Sequence, residues 1–271
     1  MNGPIAQIVA LACHANSILR ELPTNPFFPQ NSTCRFCESV TFSHCAMWGW
    51  TQRLIANSPD EWFAHLQNSG AIGVRVFRRP QAAHGIRDRK LAGLVGGGGL
   101  WTMETQFSGG HTRHWTAEWQ VWDQNAPEKK IWRVAYRGVH RPGESSLTRT
   151  DLTDVSSRLL AALQRIRSFA DQFATRQFVP TFDRAIQALT SEGAPGYHQD
   201  LAPKNVVTPQ AEMLLNACQH AWVFGGMGSW NDLTFGGIEQ TAYDRVSENL
   251  YSAITEAIVA ATNTSCISNS N

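Results

Sequence analysis

The spacing of apolar residues changes once along this chain, near Leu147, and that change restricts the fold more than any other feature. Upstream, apolar residues recur at every second position over short runs, as in Trp115, Ala117, Trp119 and Val121, or Trp132, Val134 and Tyr136. This is the pattern of strands with one buried face. Downstream, Leu152, Val155, Leu159, Leu163, Ile166, Phe169, Ala170 and Phe173 recur at intervals of three and four, as on an amphipathic helix. Strands first and helices afterwards predict a segregated α+β protein, because a doubly wound sheet needs regular alternation of the two. The expected architecture is a mostly antiparallel, Trp-rich sheet of about five to six strands, preceded by an N-terminal helix and followed by about four helices. Residues 1–145 (helix plus sheet) and 146–262 (helices packed on that sheet) are expected to form one compact domain, with a polar tail over 263–271.

Ile5, Ile8, Leu11, Ala15 and Ile18 have helical spacing, and no Lys or Arg precedes the apolar run that ends at Cys13. A secretory signal needs a charged leading region, so this run reads as a core helix. No stretch reaches the length of a membrane span, and a cytoplasmic location without a membrane partner is expected. In that compartment the six cysteines would be reduced thiols, and the sequons Asn31-Ser32-Thr33 and Asn263-Thr264-Ser265 carry no weight.

Cys34, Phe36, Val40 and Phe42 alternate as on a strand, whereas residues 47–56, with Trp48, Trp50, Leu54 and Ile55, read as a helix. Ser58-Pro59-Asp60-Glu61 combines a capping Ser, a Pro at the first helical position and a Glu at the third, and Gly70 supplies the stop. Residues 71–78 and 91–95 read as strands flanking a basic loop, with Ile72, Val74 and Val76 on one face. Residues 101–107, 114–123 and 130–140 complete the sheet, the last two as a hairpin. Asp151 and Thr208-Pro209 signal helix starts, residues 178–189 form another helix, and Tyr243, Val246, Leu250, Ile254, Ile258 and Ala261 mark the last.

Composition bears on function. Only 17% of the residues are charged, 10 are Trp, and the 23 Lys and Arg balance the 22 Asp and Glu to a net +1, so no global field recruits a polyanion. Interface cores are likewise poor in charge and rich in Trp, Tyr, Phe, Met and Arg. The leading expectation is a binding or assembly protein that holds a protein partner, or its own copy in a homo-oligomer, on a low-charge aromatic face. An enzyme with a cleft between sheet and helices is the alternative. It would draw catalytic groups from two segments, His198 and Asp200 in one, and Ser229, Asn231 and Asp232 in the other. Nucleic-acid binding is a third expectation, through Arg75, Arg78, Arg79, Arg87, Arg89 and Lys90, which only Asp88 opposes.

Several constellations could carry chemistry. Cys34, Cys37, His44 and Cys45 have zinc-ligand types and begin as Cys-x2-Cys. On a strand, however, Cys34 and Cys37 point to opposite faces, so no cofactor is expected beyond a structural zinc at this cluster. His111, His114 and Glu118, with His140 on a neighbouring strand, have the types of a 2-His-1-carboxylate site. The run from Tyr197 to Asn205 resembles the His-x-Asp-x4-Asn catalytic loop of protein and aminoglycoside kinases. That resemblance would imply Asp200 as base and Asn205 as magnesium ligand. It covers only these residues, no Asp-Phe-Gly follows Asn205, and Gly96 to Gly99 is not a kinase glycine loop. Gly225, Gly226 and Gly228, ahead of Ser229 and Trp230, can bring backbone close to a ligand, and equally form a helix stop that returns Trp230 to the core.

Overall fold

A computed structural model describes residues 1–45, 52–81, 85–141, 150–173, 175–190 and 195–266. The strands are β1 (Cys37–Cys45), β2 (Gln52–Ala56), β3 (Ala71–Arg79), β4 (Leu100–Phe107), β5 (Thr112–Val121) and β6 (Trp132–Arg141). They form a sheet in the order β2-β1-β6-β5-β4-β3. The β1–β2 pair opens it, and the chain then crosses to the far edge. From there β3 to β6 return as an antiparallel meander whose last strand lands beside β1, the one parallel pair in an otherwise antiparallel sheet. The helices are α1 (Gly3–Leu19), α2 (Pro59–Asn68), α3 (Asp88–Leu91), α4 (Leu152–Gln172), α5 (Val179–Thr190), α6 (Pro209–Ala221) and α7 (Gly237–Asn263). The α+β architecture read from the sequence is the one observed.

Helix starts follow the local chemistry. The Ser58 hydroxyl accepts from the Glu61 N–H, and the Glu61 carboxylate reaches back to the Asn57 N–H. Asp151 caps α4 by accepting from the Thr153 N–H, and Thr208 caps α6 by accepting from the Ala211 N–H.

Helix α1 is buried all round. Thirteen consecutive residues, Ile5 to Ser17, are inaccessible, because the helix packs against β3 and β4 on one side and α2 and α7 on others. Helices α4, α5 and α6 stack on one another, and α4 and α6 also pack on α7. Beneath α1 and α2, the sheet's inner face is aromatic. Phe42 stacks between Trp62 and Tyr136, at ring-centroid distances of 4.5 and 5.0 Å, and Trp115 meets Phe42 edge-on at 5.9 Å. Trp62, Trp115 and Trp230 are fully buried, so much of the tryptophan serves the core.

Several local expectations are corrected. Of residues 47–56, read as a helix, residues 52–56 are β2, and Trp48 and Trp50 lie outside the described residues. Leu54 and Ile55 are too short an apolar run to fix a period, and pairing with β1 decides it. Residues 91–95 are not a strand. They leave α3 into a loop where Gly96, Gly98 and Gly99 take φ of +78°, +88° and +95°, values strand residues do not adopt. Cys34 sits in a 3-10 turn, Ser32–Cys34, ahead of β1. A bulge between Ala71 and Gly73 turns Ile72 outward, 49% exposed, while Val74 and Val76 stay buried. Within the expected polar tail, Ser265 and Cys266 are buried, and the residues after Cys266 lie outside the described ones.

Candidate functional site

The aromatic face loses cover along β5 and β6. Trp115 is fully buried and Trp119 and Trp132 are half-buried, while Val121 and Trp122 are exposed. At this uncovered end, opposite the N-terminus of α1, lies a cavity of about 390 Å³, within the size range of small-molecule sites. Met1, Asn2, Gly3 and Pro4 form one wall, and Ser32, Thr33, Phe36 and Cys37 a second. Gly93, Leu94 and Val95 form a third, with Trp119 and Trp132 on the sheet side and Tyr197 and His198 closing the last. The rim is apolar and open: Phe36 is 41% exposed, Val95 47%, Leu94 62% and Tyr197 71%.

The polar group of this cavity is built from segments far apart in sequence. The Ser32 hydroxyl lies 2.7 Å from His198 Nδ1 and in short contact with Asp200 Oδ1, while Asp200 Oδ2 accepts the Ser32 backbone N–H at 2.6 Å. The segment carrying His198 and Asp200 is held by side-chain amides and imidazole. The Gln219 amide clamps the His198 backbone, accepting its N–H at 2.7 Å and donating to its carbonyl at 3.3 Å. The Asp200 carbonyl accepts from Asn31 Nδ2 and His14 Nε2 at 2.9 and 3.0 Å, and Arg20 Nη1 donates to the Val206 carbonyl. Burial lowers the His198 pKa, against the opposing charge of Asp200. The ring is therefore neutral at neutral pH. A neutral imidazole with one nitrogen committed to Ser32 can use the other as a hydrogen-bond donor or acceptor, according to its tautomer.

The other residues singled out in the sequence lie elsewhere. None of Asp200, Ser229, Asn231 and Asp232 lines the cavity. Asp232 accepts from the Gly228 and Ser229 N–H groups in a reciprocal capping arrangement that closes the 225–232 turn. Trp230 is buried and donates to Ser247 at 2.7 Å. This segment backs the cavity wall without entering it: a Cβ on Gly93 would sit 2.2 Å from the Gly225 carbonyl oxygen. Asn205, at φ +64°, is exposed.

The basic cluster is largely engaged within the fold. Arg89 is fully buried and donates to Asp244 at 2.9 Å, Glu248 at 3.0 Å and Asn231 at 3.2 Å. Arg78 pairs with Asp88 at 2.5 Å, and Arg87 approaches Glu248 at 3.7 Å. Arg75 and Arg79 also have partners. Lys90 is exposed.

Cys34 and Cys37 do come together, because Cys34 is in the turn rather than on the strand. Gln7 Nε2 lies 3.8 Å from Cys34 Sγ and 3.5 Å from Cys37 Sγ, and Gln7 Oε1 accepts from the buried Tyr136 hydroxyl. Burial raises both thiols, Cys37 to about 11, so they remain protonated and poor metal ligands. His44 is on β1 against Trp115 and His65, and the side chain of Cys45 lies outside the described residues. His114 pairs with the buried Glu104 across the strands at 3.1 Å, whereas His111 stacks on Phe107. No group of three or more His, Cys, Asp or Glu able to hold a metal ion occurs among the described residues. Among them, no helix is long and apolar enough to cross a membrane.

Comparison with protein-family models, curated proteins and solved structures finds no match. Sequence reading missed Ser32, Thr33 and the first turn of α1 as parts of a site. Asn31-Ser32-Thr33 read only as a sequon, yet Asn31 is buried and its amide is bonded within the fold.

Proposed function

We propose that this chain binds a small, largely apolar aromatic molecule in the cavity at the N-terminus of α1, with His198 as the group that meets the ligand's polar atom. The supporting observation is the convergence of Trp119, Trp132 and the neutral His198 on one cavity of about 390 Å³. Such a site offers stacking walls and one acceptor, the composition of a small-molecule pocket. It is also the starting point for an enzyme that moves a proton to or from its substrate, with His198 as general base. This reading takes up the expected cleft enzyme only in part: it keeps His198, with Asp200 bonded to Ser32 behind it, and leaves out Ser229, Asn231 and Asp232.

Isothermal titration with indole tests the reading. Gly3 lines the cavity and a Cβ there meets nothing within 4 Å, so Gly3→Phe adds a bulky ring at the cavity wall without a clash at its Cβ, and a matching urea midpoint for wild type and variant checks that the fold is kept. Saturable one-to-one binding that Gly3→Phe abolishes is expected. Binding that survives Gly3→Phe, or none in the wild type, overturns the proposal.

A second reading keeps the protein-partner expectation, because Phe36, Leu94, Val95 and Tyr197 expose apolar surface around one opening. It expects self-association or a bound protein partner at that rim. Light scattering across a concentration series tests the first, and a mass that stays monomeric and insensitive to Tyr197→Asp counts against it.

A further inference from the structure

The proton inventory around Ser32 fixes what the cavity can recognise. A serine hydroxyl has one proton. The Ser32 hydroxyl oxygen is in short contact with Asp200 Oδ1 and 2.7 Å from His198 Nδ1. Both oxygens of the Asp200 carboxylate act as acceptors, one toward the Ser32 hydroxyl and the other toward the Ser32 backbone N–H at 2.6 Å. The hydroxyl proton therefore lies on the Asp200 side, and a contact at 2.7 Å with Nδ1 needs a second proton. That proton must come from the ring. The order of groups is the reverse of a hydrolytic triad, in which the imidazole takes the serine proton.

We infer that Asp200 and Ser32 hold His198 as its Nδ1–H tautomer, so that Nε2 is an unprotonated acceptor and the cavity selects aromatic molecules bearing a hydroxyl or N–H over isosteres without a donor. This rests on the reading of the cavity as a small-molecule site. Within it, Ser32 and Asp200 are positioning residues, and His198 is the group that meets the ligand's donor. The neutral state agrees with burial of the ring, and the clamp of Gln219 on the His198 backbone limits rearrangement of the loop.

The tautomer is measurable without any ligand. Long-range proton–nitrogen correlation on the imidazole-labelled full chain should show a pyrrole-type Nδ1 and a pyridine-type Nε2 for His198. The opposite assignment overturns the inference. Indole and benzofuran share a shape but differ in the donor, and indole should bind about tenfold more tightly, the worth of one hydrogen bond. Asp200→Asn supplies the sharper test. Its amide oxygen can still accept the Ser32 N–H while its NH2 donates to the Ser32 hydroxyl oxygen, which must then donate to Nδ1. The ring should switch to Nε2–H and the preference should move from indole to isoquinoline, an acceptor. Equal affinity for indole and benzofuran, with the Nδ1–H tautomer established, defeats the selection. If that tautomer is found but no probe binds, the relay stands and the cavity reading falls.

Discussion

Asn16 and Asn263, from the first and last helices of the described chain, present their side-chain amides to alternate residues of the edge strand β3. Asn16 accepts the Val74 N–H and donates to the Val74 carbonyl, both at 2.7 Å, and Asn263 does the same at Val76, at 2.7 and 2.9 Å. Each amide takes the place of one residue of a neighbouring strand, so β3 ends the sheet without free ladder groups at these positions. Asn263→Ala is expected to cost about 1–3 kcal/mol by leaving the Val76 groups unpaired. Urea denaturation measures that loss, and thioflavin binding reports strand-to-strand aggregation.

Arg89 links α3 to α7 and to the Trp230 turn through Asp244, Glu248 and Asn231. Arg89 is the fully buried cation of this group, with the exposed Arg87 3.7 Å from Glu248, so Arg89→Ala leaves Asp244 unbalanced and Glu248 only loosely paired, and should cost about 3–5 kcal/mol, or somewhat less because the acids are partly exposed. Arg89→Lys should rescue little, since one ammonium cannot replace a planar fork. Urea midpoints for both variants check this. The same engagement implies that a labelled oligonucleotide binds weakly, without the steep salt dependence of an open basic patch.

His44 makes stability depend on acid. Burial lowers its pKa from 6.5 to about 4, with Arg113, His65 and Arg53 adding repulsion. Between those values the unfolded chain takes up a proton that the folded chain refuses, so the stabilisation is full above pH 6.5 and is lost as pH falls toward 4. His44→Gln should flatten the fall of Tm over this window. It should not abolish it, because His14, His65 and His198 are lowered as well.

Gly93 couples fold and cavity. A side chain there would press on the Gly225 carbonyl carbon and oxygen and the Gly226 nitrogen, backbone atoms that cannot rotate away. Gly93→Ala should cost about 1–3 kcal/mol by overpacking and displace the wall at Leu94 and Val95. Denaturation and indole titration of the one variant should both show a loss.

The global pattern was legible because it repeats. The period-two runs of β5 and β6, the caps at Ser58, Asp151 and Thr208, and the stripes of α4 and α7 each carry several residues that agree. What was not legible depends on tertiary context. Gln52 to Ala56 is a strand only because β1 lies beside it, and Cys34 meets Cys37 only because the chain turns before β1 begins. The candidate site was half visible. His198 and Asp200 stood out by type, but Ser32, the residue between them, is separated from them by most of the chain. Its role is set by which loops meet, which local spacing does not encode.

The structure of the protein with indole bound tests the central claim most directly. The account expects the indole ring against Trp119 and Trp132, with its N–H within hydrogen-bond distance of His198 Nε2. Indole bound outside this cavity, or inside it with its N–H directed away from His198, would contradict it.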